Sequence, residues 1–306
     1  MTGGTRTILV SGYASIDYAL QLAPFEGFDA TTRVRSRAEE WPRFGGIVHV
    51  TNAAVAADPE ARVAALSWVG TDAEAAGWLS AVTESGADTI GVAVAGPRSP
   101  SSYLLYPEGQ GAICLFDPGD CHAGDLNRAQ RELIAQADLA VVTIGPAAAT
   151  TELLKLLPRR CRLLWVVKQD PASLPKALAE ALAARADWIT LSEGERGYLD
   201  TIARVARPGT LVVLTRGAAG SELLHMTHER HAESLACVPA EPVGGVDTTG
   251  AGDTFSGTLA AHLARDPAHT PEEMLDRIRK AATATAHLLM ARSERLVAAI
   301  ESDEME

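Results

Sequence analysis

Between Val243 and Gly257 the chain reads V-G-G-V-D-T-T-G-A-G-D-T-F-S-G, and it passes directly into an apolar, alanine-rich stretch at 254–263. A glycine-dense turn feeding a helix leaves several backbone N–H groups without intrahelical partners. They point outward at the positive end of the helix dipole, an arrangement that receives a phosphate or a developing anion. Asp253 stands among these amides. A carboxylate there would repel a phosphate, so its natural task is to take a proton from an attacking hydroxyl. Close helix packing explains glycines, but it does not explain the aspartate beside them. The loop also excludes two readings. It carries no Lys-Ser/Thr pair, so it is not a P-loop, and it lacks the G-x-G-x-x-G spacing of a dinucleotide turn.

The remainder alternates short apolar runs with longer amphipathic ones. Strands are predicted at 7–11, 62–68, 140–144, 163–167, 188–191 and 211–215, and helices at 51–57, 72–85, 125–135, 149–157, 173–184 and 193–205. Asp72 and Thr151 read as helix starts, and the proline after Leu157 as a stop. Near-continuous apolar strands separated by helices predict a buried, mostly parallel sheet between two helical layers, a three-layer α/β/α core of Rossmann-like type. Two stretches break the rhythm, 19–44 and 91–116; the second reads as a hairpin turning at 107–111. The expected division is therefore a core of 1–18, 45–90 and 117–306 with a small β unit made of 19–44 and 91–116.

The run D-T-T-G-A-G-D-T-F resembles the signature of the ribokinase-like (PfkB) carbohydrate and nucleoside kinases, and weaker likenesses follow in the same order along the chain. I-L-V-S-G-Y-A-S-I-D is similar to the family's first strand ending at its substrate-binding aspartate, here Asp17, which is thus expected at the end of a parallel strand. F-G-G-I-V-H-V-T-N-A-A resembles its glycine pair, Gly45 and Gly46, followed by Asn52, which stands two places beyond the family's usual asparagine position, here Val50. V-G-T-D-A-E-A-A-G and T-R-G-A-A-G match two further glycine motifs. The resemblance implies ATP as phosphoryl donor and a sugar or nucleoside as acceptor. It also implies Asp253 as base and the amides of Gly250, Ala251, Gly252 and Asp253 as an anion hole. Thr215, Gly217 and Gly220 are the expected nucleotide-binding turn, and the two β-like insertions the expected lid. Mg²⁺ is expected at S-E-G-E, where Glu195 matches and Ser192 replaces an asparagine; a hydroxyl still holds a metal-bound water. Asp247 and Thr249 correspond to a monovalent-cation site of some members, so K⁺ activation is left open, as is a homodimer.

Other residues carry two readings each. Asp17 is a sugar ligand or a loop aspartate. Lys168 and Asp170, in V-V-K-Q-D-P, read as a solvated strand end or as residues that approach the site, and His49 as a structural histidine or a substrate contact beside the glycine pair. Tyr13, Tyr103 and Trp41 would support a nucleoside acceptor if they sandwiched a base. A binding protein that keeps the fold without turnover is the rival from another class. A net charge of -12 argues against nucleic acid or an anionic membrane as partner. The four cysteines show no C-x-x-C spacing, so neither a zinc site nor a disulfide framework is indicated. The opening residues lack a signal-peptide stretch, and a cytoplasmic protein is expected.

Overall fold

A computed structural model describes residues 5–122, 125–243 and 248–303. The chain order begins β1 (Thr7–Ser11), β2 (Ala14–Leu22), β3 (Val34–Arg37), β4 (Arg43–Gly46), α1 (Ile47–Ala57), β5 (Arg62–Val69), α2 (Ala73–Thr83) and β6 (Asp88–Val94). It continues with β7 (Ser101–Pro107), β8 (Ile113–Asp117), α3 (Arg128–Gln136), β9 (Leu139–Val142), α4 (Ala147–Leu156), β10 (Arg162–Val166), α5 (Lys176–Arg185) and β11 (Trp188–Ser192). After α6 (Leu199–Val205) come β12 (Leu211–Thr215), β13 (Ser221–Met226), β14 (Ala232–Val238), α7 (Ala251–Arg265) and α8 (Pro271–Asp303). Among the described residues no helix is long and apolar enough to cross a membrane.

Nine strands form the main sheet in the order β14-β13-β12-β11-β10-β9-β1-β5-β6. All neighbours are parallel except β12–β13 and β13–β14. Both faces of its central strands are buried, which is why those strands read as continuous apolar runs rather than alternating ones. Along β1, Ile8 and Val10 pack with Trp78, Phe255, Leu259 and Ile278 on one side. Leu9, between them, packs with Leu133, Leu153 and Leu182 on the other. From β1 the chain first adds β5 and β6 on one side and then β9 to β12 on the other. The strand order therefore reverses at β1, and the carboxyl ends of β1 and β9 open a crevice of the kind where α/β sheets bind ligands.

A second sheet runs β3-β2-β7-β8, with β4 also paired to β2. The two β-like stretches do pair with each other, through parallel β2 and β7, and the expected hairpin is β7–β8. Its boundaries differ from the expected ones. Residues 91–94 belong to β6 of the main sheet, whereas 14–18 already belong to β2. The period-2 run of Ser15 and Asp17 against Ile16 and Tyr18 marks that strand, but its closeness to β1 masks it. Elsewhere α1 starts at Ile47, after Gly46 at φ 64, and α4 starts after Pro146 rather than at Thr151. Asp72 is an N-cap as expected, its side chain accepting from the Ala75 amide. The hairpin β13–β14 and the long α8 lie beyond the elements expected from periodicity.

Candidate active site

Asp17 lies in the interior of β2, not at the end of a parallel strand. It faces Arg43 of antiparallel β4 and Ser102 of parallel β7. The correction has a simple cause: β1 ends at Ser11, and the chain turns at Gly12 and Tyr13 into the second sheet. There the Asp17 carboxylate accepts a short hydrogen bond from Ser15 Oγ, which also shares one of 2.9 Å with Ser102 Oγ. Asp17 is 7% exposed. Desolvation outweighs these hydrogen bonds and pushes its carboxyl above the usual aspartate range. Gly45 makes room for it, because a Cβ there would sit 1.9 Å from Asp17 Oδ2.

Asp253 approaches from the other element of the site. Gly250, left-handed at φ 75, caps α7, a conformation that costs a residue with a Cβ far more than glycine. The Ala251 amide donates to the Thr248 carbonyl, closing a tight turn, and Thr254 N–H makes the first intrahelical bond, to Gly250. Of the four amides expected in an anion hole, that of Ala251 is therefore committed to the turn. Those of Gly252 and Asp253 lie in the first helical turn, where amides have no intrahelical acceptor. His49, in the first turns of α1, packs its ring against Gly250. Burial, more than any neighbouring charge, lowers its imidazole below the usual histidine range.

Both aspartates line one cavity of about 300 Å³ together with Tyr13, Ser15, Gly46, Ser102, Leu104, Cys114, Phe116, Thr143, Lys168 and Asp170. Its floor is the carboxyl end of β1 and β9 and its roof the inward face of the small sheet. Lys168, just past β10, brings its Nζ to 2.9 Å from Asp253 Oδ1. That carboxylate holds the ammonium above the usual lysine range against the opposing effect of burial, and Glu195 adds to it. Of the two readings of Lys168, a solvated strand end gives way to a residue that lines the cavity. The signal that it belongs here is its position: the strand before it is apolar from Leu163 onward and ends beside β9, at the same edge as the site.

The other expected residues divide. Ser192 and Glu195 sit together at the end of β11, where Ser192 N–H and Oγ both donate to Glu195 Oε2 in a capping box. Thr215 pairs in register with Ser192, and Gly217 and Gly220 form the tight turn that follows it. Asn52 lies inside α1 and is not among the cavity's residues; its Oδ1 takes a long hydrogen bond from Thr51 Oγ1, at 3.4 Å. Asp247 lies outside the described residues. Thr249 is described: its carbonyl accepts from Arg292 Nη1 at 2.6 Å and its hydroxyl shares a hydrogen bond with Tyr106. Of the three aromatics considered for a base, only Tyr13 lines the cavity. Tyr103 stacks on Tyr18 and Trp41 packs edge-on against it, on the opposite face of the small sheet.

Known proteins bear this likeness. A curated fructokinase of Klebsiella pneumoniae is 40% identical over 110 residues, 33% of this chain and 33% of the relative. A mouse ribokinase is 45% identical over 69 residues, 22% of this chain and 20% of the relative. The aligned parts thus span a third or less of these relatives' own length. Among solved structures, a ribokinase of Giardia lamblia superposes with a TM-score of 0.73 at 17% identity, covering 92% of each chain. An Arabidopsis thaliana ribokinase complexed with ribose and ATP gives 0.71 at 16% identity, over 91% of this chain and 92% of that one. These distant neighbours establish the fold. The sequence model described as pfkB family carbohydrate kinase matches residues 48–295, and the chain belongs to that family.

Proposed function

We propose that the protein transfers the γ-phosphoryl group of ATP to a hydroxyl of a monosaccharide or a close derivative. The observation that carries this reading is the convergence of Asp17, Asp253 and the amino end of α7 on one cavity at the point where the strand order reverses. Asp17, with Ser15 and Ser102 beside it, supplies acceptors and hydroxyls for a polyol, while Tyr13 and Phe116 give an apolar wall for a sugar ring. Asp253 takes the proton of the attacking hydroxyl. The amides of Gly250, Gly252 and Asp253 face the place where phosphoryl charge accumulates, so little reorganisation accompanies transfer. Thr215, Gly217 and Gly220 hold the nucleotide phosphates, at the end of β12, three strands from β9 on the floor of the acceptor cavity.

Mg²⁺ neutralises the triphosphate in such reactions, and the residues present fit it. Mg²⁺ keeps several waters and needs few protein oxygens, and the Glu195 carboxylate with the Ser192 hydroxyl offers that number on the nucleotide side. Among the described residues no three His, Cys, Asp or Glu side chains gather into a cage for another metal. The small sheet acts as a lid: Ser15, Asp17, Ser102, Leu104, Cys114 and Phe116 face inward and exclude water, which competes with the acceptor for the γ-phosphate.

A nucleoside acceptor is the second reading. The placement of Tyr103 and Trp41 on the far face of the small sheet favours the sugar. The test is a coupled ADP-release screen over pentoses, hexoses, sugar acids and nucleosides with Mg·ATP. We expect a monosaccharide class to raise the rate well above background hydrolysis. Stimulation by nucleosides alone would reassign the acceptor, and no stimulation by any compound would leave a binding protein.

A further inference from the structure

Lys168 is the one cationic side chain among the described residues lining the cavity, and it is paired with the group expected to act as base. That pairing is a puzzle for catalysis. An ammonium 2.9 Å from the carboxylate is an attraction that is lost when that carboxylate takes up the acceptor proton, a handicap for a base.

The handicap disappears if the cation is transferred during the reaction. The acceptor oxygen forms a bond to the γ-phosphorus as the bond from that phosphorus to the β–γ bridging oxygen breaks, and its electron pair leaves with ADP. The acceptor proton goes to Asp253, which becomes neutral and ceases to attract the ammonium. Negative charge at that moment lies on the transferring phosphoryl group, beside Asp253 and the first turn of α7. Lysine suits this exchange, because its charge is compact, carries three donors and rides on a flexible stem. Glu195, on the nucleotide side, is a second negative neighbour of the same ammonium.

We propose that Lys168 is a catalytic residue whose ammonium holds the Asp253 carboxylate oriented before reaction and moves onto the phosphoryl group as Asp253 takes the proton. This rests on the kinase reading above. It predicts a gain in binding that belongs to the phosphoryl group and not to the nucleotide.

The experiment is calorimetric titration of the protein with Mg·ADP, and with Mg·ADP plus aluminium fluoride as a planar mimic of the transferring group. Wild-type protein should bind the fluoride complex more tightly than ADP. In Lys168→Met, ADP affinity should be unchanged, while the gain from fluoride falls roughly 10–100-fold, the size of one charge-assisted hydrogen bond. Lys168→Arg should recover part of the gain. Lys168→Gln serves if the methionine variant melts early. An unaltered fluoride gain in both uncharged variants would overturn the role of Lys168 and leave the kinase reading standing. Absence of ADP binding by the wild type would overturn both.

Discussion

Tyr106 of β7 and Thr249, the residue before the cap of α7, share a hydroxyl–hydroxyl hydrogen bond of 2.8 Å. This contact joins the small sheet to the loop that sets the first turn of α7, while Arg292 of α8 holds the Thr249 carbonyl. The cover of the cavity is thereby linked to the amino end of α7. Tyr106→Phe removes only that hydroxyl. We expect a loss of about 1 kcal/mol or less in global stability. Hydrogen exchange should quicken in 14–22 and 101–117 together, while 211–215 stays protected. Exchange that rises in the main sheet instead would show the contact to be a general fold element and not a link to a lid.

The guanidinium of Arg292 already supplies a positive charge to the Thr249 carbonyl. A monovalent cation therefore has little left to neutralise at this residue. Rates of phosphoryl transfer measured in potassium, sodium and tetramethylammonium salts of equal ionic strength should coincide. A marked stimulation by K⁺ would show that a cation binds beside the loop in spite of Arg292.

Asp17 illustrates how a site opposes stability. Its carboxyl is pushed up mainly by burial. The folded state therefore holds a proton that the unfolded chain has released, and stability falls as pH rises from the ordinary aspartate value through the raised one. Asp17→Asn should raise the melting temperature at neutral pH, with the gain shrinking to nothing in acid, and should weaken acceptor binding. A melting difference independent of pH would refute the shift.

Gly45→Ala tests the same aspartate from its neighbour. The new methyl group would meet Asp17 Oδ2 at 1.9 Å, so the carboxylate must move. The KM for the acceptor should rise roughly tenfold or more, the cost of a displaced polar contact, with KM for ATP unchanged. Equal effects on both substrates would mean that the strand, not the carboxylate, has shifted.

The core is legible from sequence because a parallel sheet buried on both faces writes its strands as unbroken apolar runs: Thr7–Ser11 and Leu211–Thr215 agree to the residue. Asp253 is legible because helix packing accounts for glycines at the head of a helix but not for a carboxylate among them. Asp17 stands out in the sequence, but its setting does not, since the turn at Gly12 sends the chain into a second sheet only two residues after β1. Lys168 is underrated for a related reason. Its local context is a strand end like several others, and only the strand order places that end beside α7. Asn52 stands inside α1, as the expected helix over 51–57 already had it, and is not among the residues that line the cavity.

Asp253→Asn keeps size and most hydrogen bonding while removing the base, and transfer of the radiolabelled γ-phosphate of Mg·ATP to the preferred sugar reads its consequence directly. Wild-type protein should place label in a sugar phosphate. The variant should do so roughly 10²–10⁴-fold more slowly with ATP affinity nearly unchanged, because the amides of the α7 turn remain. Near-normal transfer by Asp253→Asn, or label released only as inorganic phosphate by the wild type, would contradict a kinase that uses this aspartate as its base.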